Sequence, residues 1–183
     1  QLAVMRDDNG VTVGRQRIIL DNARFVGNVG WRQNEQTFDA VRGQAKIGPV
    51  LLDATYAISQ RTIFGVDSPN THFDGDFVFL NGGIRGTGVE AKAFAYLIDY
   101  YERVAFSSQT YGVRVEADLN LLGLLPLKAD ASVATQSDYG DNPVDYAAPY
   151  YSVNLNAKVA GFKRDQISFE QVMNDERGKA ASD

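Results

Sequence analysis

The residues of this chain that could do chemistry are charged side chains that recur at every second position. In residues 113–134, Arg114, Glu116 and Asp118 alternate with valine, alanine and leucine, and Lys128 and Asp130 continue the pattern beyond a short turn. Guanidinium groups bind carboxylates through two parallel hydrogen bonds, and ammonium groups bind them as point charges. The spacing therefore predicts non-covalent recognition of a polar or anionic solute along one face of an extended structure.

Cations in the same phase recur along the chain, and they form the candidate set for a polar interior that binds the solute. The set comprises Arg15, Arg17, Arg42, Lys46, Arg61, Lys92, Arg114, Lys128 and Lys158. Acids share these rows, namely Asp53, Asp76, Glu90, Glu116, Asp118 and Asp130. Because cations lead but the face is mixed, we expect only a moderate preference for anions.

Catalytic and metal chemistry has little support. The chain has no cysteine and one histidine, His72, and no serine stands at a spacing that favours a catalytic triad with it. His72 with two nearby acids is a poor metal-ligand set, and the glycines of residues 82–88 lack the lysine and the following helix of a phosphate loop. We expect no enzymatic activity, no catalytic residue, no metal ion and no cofactor. The net charge of -5 and the lack of a basic cluster exclude a typical nucleic-acid binder.

The elements that position these side chains must be strands. An alternation of period two is typical of β-structure, and each arm of the hairpin in residues 113–134 has about ten residues, enough for a tilted strand to cross a bilayer. Further strands are predicted at residues 2–6, 11–20, 37–47, 50–61, 73–86, 89–100 and 151–160 and from residue 166, with a bulge at residues 82–83. All five prolines fall between the runs, as expected for paired strands.

Connections of two lengths alternate between these strands. Tight turns at residues 48–49, 87–88 and 123–126 are expected on the periplasmic side, and the loops that contain Pro69, Ser107 and Asn142 outside. Residues 21–36, which include Trp31, are predicted to form a loop that folds back onto the sheet. The pattern predicts an all-β, antiparallel, up-and-down transmembrane barrel in the bacterial outer membrane, in contact with its lipid. The alternative is a soluble or surface β-barrel that binds a carbohydrate or small ligand.

One part of the sequence resembles a known family. Residues 13–17 (VGRQR), 21–27 (DNARFVG), Trp31 and residues 38–42 (FDAVR) are similar to the pattern of the alginate export family of outer-membrane β-barrels. The resemblance implies a monomeric, porin-like channel lined by basic side chains that passes alginate or another anionic solute. Barrels of that family have more than about ten strands and end in an aromatic strand that is not found at residues 181–183. We therefore expect residues 1–183 to form a single barrel domain or a fragment of one, with a frayed tail at residues 174–183.

Overall fold

Ten strands make up almost all of the computed structural model, which describes residues 1–28, 34–64, 68–121, 125–157 and 165–172. They are β1 (Leu2–Arg6), β2 (Asn9–Gln16), β3 (Thr37–Ile47), β4 (Val50–Arg61), β5 (His72–Arg85), β6 (Val89–Tyr100), β7 (Ser108–Leu121), β8 (Leu125–Asp138), β9 (Ala147–Ala157) and β10 (Asp165–Val172). A short 3-10 turn, Val104–Phe106, precedes β7. In the described part of the chain, no helix is long and apolar enough to cross a membrane.

The strands form one sheet in sequence order, and each strand pairs antiparallel with the next. This is the up-and-down meander that the alternating sequence predicts, so the predicted fold class is confirmed. Among the described residues the sheet is open, with β1 and β10 at its two edges. Strands β3, β4 and β6 have the predicted bounds, because turn or loop residues delimit each of them on both sides.

Three local predictions are wrong. Strand β2 ends at Gln16 and not at residue 20, since Ile18 and Leu20 leave the sheet and become buried against its inner face. Pro126 and Pro149 lie inside β8 and β9, near the beginning of each strand, where a missing N–H costs little. The register shift in β4 and β5 falls at Ile58, which has no register partner on either neighbouring strand, and not at residues 82–83.

The two faces of the sheet differ in polarity. On β7 and β8, Val113, Val115 and Val133 are exposed on the outer face, whereas the side chains of Arg114 and Asp130 are only 12% and 14% exposed on the inner face. Cross-strand pairs such as Val115–Ala131 and Glu116–Asp130 keep this phase along the hairpin. The predicted phase of this hairpin, with apolar residues on one face and charged residues on the other, is therefore confirmed.

An aromatic cluster fills the inner face near the long connections. It consists of Phe38, Phe77, Phe79, Phe94, Tyr96 and Tyr150, each at most 6% exposed. Residues 17–28 lie over this cluster, and we call them the inward segment. Its Phe25 ring is 5.7 Å from Phe94 and 5.3 Å from Tyr150, centroid to centroid. Pairs of this kind stabilise by about 0.5–1.5 kcal/mol beyond area burial, so the predicted fold-back is confirmed for these residues; Trp31 lies outside the described residues.

Tight and long connections lie at opposite ends of the sheet. The tight turns at residues 7–8, 48–49 and 86–88 share one end, and Gly48 and Gly88 have φ of 58° and 75°, which glycine adopts at no steric cost. The long connections 17–36, 62–71, 101–107 and 139–146 share the other end. The predicted alternation of turn lengths is confirmed there. Of the turn predicted at residues 123–126, residues 123 and 124 lie outside the described residues, and residues 125 and 126 begin β8. The tail at residues 174–183 also lies outside the described residues.

Candidate functional site

Three clusters of ion pairs lie on the inner face, on the half of the sheet near the tight turns. In the first, Arg42 of β3 donates from Nε to Asp53 of β4 (Oδ1, 3.0 Å), and the Nε2 amide of Gln44 donates to the same carboxylate at 3.1 Å. The side chains of Arg42 and Asp53 are 17% and 18% exposed. The pair is therefore largely shielded from bulk solvent but still accessible from the inner side of the sheet.

The second cluster joins the inward segment to β6. Lys92 Nζ lies 2.9 Å from Glu90 Oε1 and 3.0 Å from Asp21 Oδ1. The Tyr96 hydroxyl lies within hydrogen-bonding distance of both Asn81 Oδ1 (2.8 Å) and Asp21 Oδ2 (3.2 Å). One acid of the inward segment thus contacts two side chains of a strand more than 70 residues later in the chain.

The third cluster is centred on Arg114 of β7. Its Nε donates to Asp130 of β8, and its Nη2 lies 3.1 Å from Glu116. The Nδ2 amide of Asn154 donates to the second oxygen of Asp130 at 3.1 Å. Arg114 Nη1 is buried without a hydrogen-bond partner among the described residues. An unmade bond of a buried charged donor is costly, so this nitrogen is a destabilising feature of the third cluster as the structure describes it.

Two clefts flank the inward segment. The first cleft, of about 430 Å³, is lined by Asp21, Arg42, Asp53, Asn81 and Lys92 together with residues near the tight turns. The second cleft, of about 360 Å³, is lined by Asn22, Arg24, Arg114, Asp130, Tyr150, Ser152, Asn154 and Asn156, and the Arg24 guanidinium lies 5.2 Å from the centre of the Tyr150 ring. Both volumes lie in the range of small-molecule sites, about 300–1,000 Å³.

The structure brings only some of the predicted cations together. Arg42, Lys92 and Arg114 each belong to one of the three clusters. Lys46 and Lys128 lie near the tight turns, where they pair with Asp8 (2.8 Å) and Asp118 (3.0 Å). The hydrogen bond and the charge of Lys46 lower the pKa of Asp8 below its usual value. Lys158 lies outside the described residues.

Three predicted cations lie elsewhere. Arg15 shares its row with the exposed Val11 and Val13 and pairs with Asp39 on the outer face, so its predicted inward position is wrong. The error in phase arises because the inward polar residues of β2 are the uncharged Thr12 and Gln16. Arg17 follows the end of β2 and pairs with Glu35 at 2.7 Å. Arg61 ends β4 at the long-loop end, in register with Thr37 and His72, away from the three clusters.

Sequence reasoning missed Asp21, Asn81 and Arg24 as site residues. Asp21 has φ of 50°, a left-handed conformation that aspartate tolerates better than most residues and that a sequence pattern does not reveal. Asn81 and Arg24 lie on the inner face only because the register of β5 and the path of the inward segment place them there. The three asparagines of residues 21–36 (Asn22, Asn28 and Asn34) were the available signal.

Comparisons with known proteins give information on the fold of the chain. No protein-family model and no curated protein matches the sequence. Among solved structures, the chain is similar to OpdK of Pseudomonas aeruginosa with vanillate (TM-score 0.75, 11% identity, 93% of this chain and 46% of that one). It is also similar to OccK2 (OpdF) of Pseudomonas aeruginosa in complex with glucuronate (TM-score 0.72, 15% identity, 93% and 46%). A third is OccAB2 of Acinetobacter baumannii (TM-score 0.71, 14% identity, 94% and 45%).

These neighbours are outer-membrane porins of the OprD/OccK family, and none of them supports the resemblance to the alginate export family. The chain spans less than half the length of each of the three. All are Gram-negative outer-membrane β-barrel proteins, in agreement with the predicted outer-membrane location. The chain therefore has the fold of part of a Gram-negative outer-membrane porin barrel.

Proposed function

We propose that the chain forms part of a passive outer-membrane channel for small polar solutes, with a preference for carboxylates of the uronate type. The observation that carries the proposal is the position of Arg42, Lys92 and Arg114 around clefts on the inner face of a sheet whose outer face is apolar. Guanidinium groups fit a solute carboxylate bidentately. A passive channel needs no catalytic group. The monomeric state of the barrel stays a prediction.

The lining of the clefts favours a hydroxyl-rich solute over an aromatic one. The large aromatic rings of the inner face are at most 6% exposed, so they have little surface left for stacking. Tyr150 of this cluster lines the second cleft, but the Arg24 guanidinium lies over its ring. Amide and hydroxyl groups of Asn81, Ser152, Asn154 and Asn156 line the clefts instead. Of the two ligands found in the similar porins, glucuronate therefore matches this lining better than vanillate.

A polymer of uronates is the finer variant of this proposal. An alginate-type polysaccharide presents the same carboxylate in every unit, so the same cations would contact it. The inward segment covers part of the inner face, which favours monomers or short oligomers over a long chain. A soluble carbohydrate-binding module is disfavoured, because rows of exposed valine, leucine and isoleucine on the outer face suit lipid and not water.

Planar-bilayer recordings on the barrel that contains this chain test the proposal. Glucuronate should reduce the current at a lower concentration than vanillate, an alginate oligosaccharide or glucose. Glucose is the matched control, since it has the hydroxyl groups of glucuronate without the carboxylate. Equal effects of glucuronate and glucose would contradict a carboxylate site, and the strongest reduction by the oligosaccharide would favour the polymer.

A further inference from the structure

We propose that Asp21 is a specificity-determining residue of the channel. Its carboxylate forms an ion pair with the Lys92 ammonium, and a solute carboxylate has to replace Asp21 in that pair. The inference rests on the proposed function and identifies the protein group that competes with the solute. The Lys92 ammonium already contacts Glu90 and Asp21, at 2.9 and 3.0 Å. The Asp21 side chain is only 11% exposed, so water screens this contact weakly.

The inward segment stays in place for reasons that do not involve the charge of Asp21. Ile18, Leu20 and Val26 are at most 5% exposed. The backbone N–H of Leu20 donates to the carbonyl of Val26 (3.0 Å), and that of Ala23 donates to the carbonyl of Leu20 (2.9 Å). Asparagine is as small as aspartate, tolerates the same left-handed conformation and keeps one acceptor oxygen. The Asp21→Asn variant therefore removes a charge and leaves the segment anchored.

The charge balance of the first cleft makes a single acid decisive. Its lining carries four cations (Arg42, Lys46, Arg85 and Lys92) and four acids (Asp7, Asp8, Asp21 and Asp53). Arg42 pairs with Asp53, Lys46 with Asp8 and Arg85 with Glu90. Removing the acid at position 21 leaves four cations and three acids in this lining. Lys92 then keeps only its contact with Glu90, an acid that it shares with Arg85. Low-dielectric walls focus the field of this incompletely neutralised ammonium on a passing solute.

The experiment compares variants of the barrel that contains this chain in planar bilayers. Asp21→Asn should shift the reversal potential in a KCl gradient towards anion selectivity and strengthen the reduction of current by glucuronate several-fold. Lys92→Gln should weaken that reduction. In the double variant, Asp21→Asn should no longer strengthen the reduction of current by glucuronate, because the Lys92 ammonium that would bind the solute is absent. Asp39→Asn, which removes an outer-face acid paired with Arg15, is the matched control and should change neither readout.

Two results would overturn the proposal. An equal gain from Asp21→Asn in the Lys92→Gln background would mean that Asp21 acts without Lys92. A larger conductance with unchanged selectivity would mean that the acid only holds the segment in place. If glucuronate does not reduce the current of the unaltered barrel, the proposed function fails, but the reversal potential still tests the role of Asp21.

Discussion

The role of each arginine in this chain depends on its burial and on the face it occupies. Arg42 and Arg15 both pair with an aspartate on an adjacent strand, but their side chains are 17% and 51% exposed. The Arg15–Asp39 pair lies on the outer face, so the sheet separates it from the inner face and it contributes little to the potential there. In the proposed channel, the shielded pair on the inner face is therefore the one that affects a passing ion.

Selectivity should distinguish these two arginines. We expect Arg42→Gln to shift the reversal potential towards cations and to weaken the effect of glucuronate, and Arg15→Gln to change neither. Arg42→Gln leaves Asp53 partly buried with the Gln44 amide but without a cation. The variant Arg42→Gln with Asp53→Asn therefore separates lost selectivity from lost stability. Equal shifts for Arg15→Gln and Arg42→Gln would contradict the assignment of the two faces.

Close packing of a glycine gives a second prediction at this scale. A Cβ at Gly112 would lie 2.3 Å from Cζ of Phe94, its cross-strand partner, whereas a Cβ at Gly43 would meet nothing within 4 Å. We expect Gly112→Ala to lower the free energy of unfolding by about 1–3 kcal/mol, as overpacking does, and Gly43→Ala to have little effect. Urea titration of the protein folded in lipid vesicles measures both, and equal stability of the two variants would refute the close contact.

At the scale of the element, the hairpin of β7 and β8 combines an apolar outer row with a charged inner row. The outer row pairs valine, leucine and alanine across the strands, and the inner row pairs Glu116 with Asp130 and Arg114 with Ser132. Like charges in the first pair are compensated by Arg114, which contacts both acids. A slip of one residue would expose this charged row to lipid, so the bilayer specifies the register strongly.

An arginine on the outer row should show which face contacts lipid. Ala131 lies near the middle of β8, exposed between Val115 and Val153. If Ala131 lies near the bilayer midplane, Ala131→Arg should destabilise the folded protein by about 2–4 kcal/mol. Asn156→Arg places the same side chain on the inner face and should cost much less. Folding yields in lipid vesicles compare the two, and equal yields would count against the lipid-facing row.

At the scale of the whole molecule, the described sheet resembles slightly less than half of a larger barrel. Its open edges at β1 and β10 leave backbone N–H and C=O groups unpaired, and such groups are costly in hydrocarbon. Both edges have to be paired when the sheet lies in a bilayer. The inward segment crosses from β2 towards β6 and β9 and so links strands that are far apart in the sheet.

The ends of the barrel give a topological prediction. We expect the long connections to lie outside the cell and the tight turns in the periplasm. The chain has no cysteine, so a single cysteine at Asp145, exposed in a long connection, should react with an impermeant thiol reagent on intact cells. A cysteine at Thr87, exposed in a tight turn, should react only after the outer membrane is permeabilised. Ser107, in another long connection, is unsuitable for cysteine labelling because its side chain is fully buried. The reverse labelling pattern would invert the orientation.

The sequence alone determined the strands, their pairing order and the polarity of their faces. These are local properties, because alternation of period two and turn residues such as Gly48 and Gly88 act within a few positions. The tertiary structure decided which cations share a site. Asp21 meets Lys92 across 71 positions, Arg15 lies on the outer face, and Phe25 packs on Tyr150. Such contacts depend on how a connection returns to the sheet and on the local register, so the periodicity of any one strand cannot predict them.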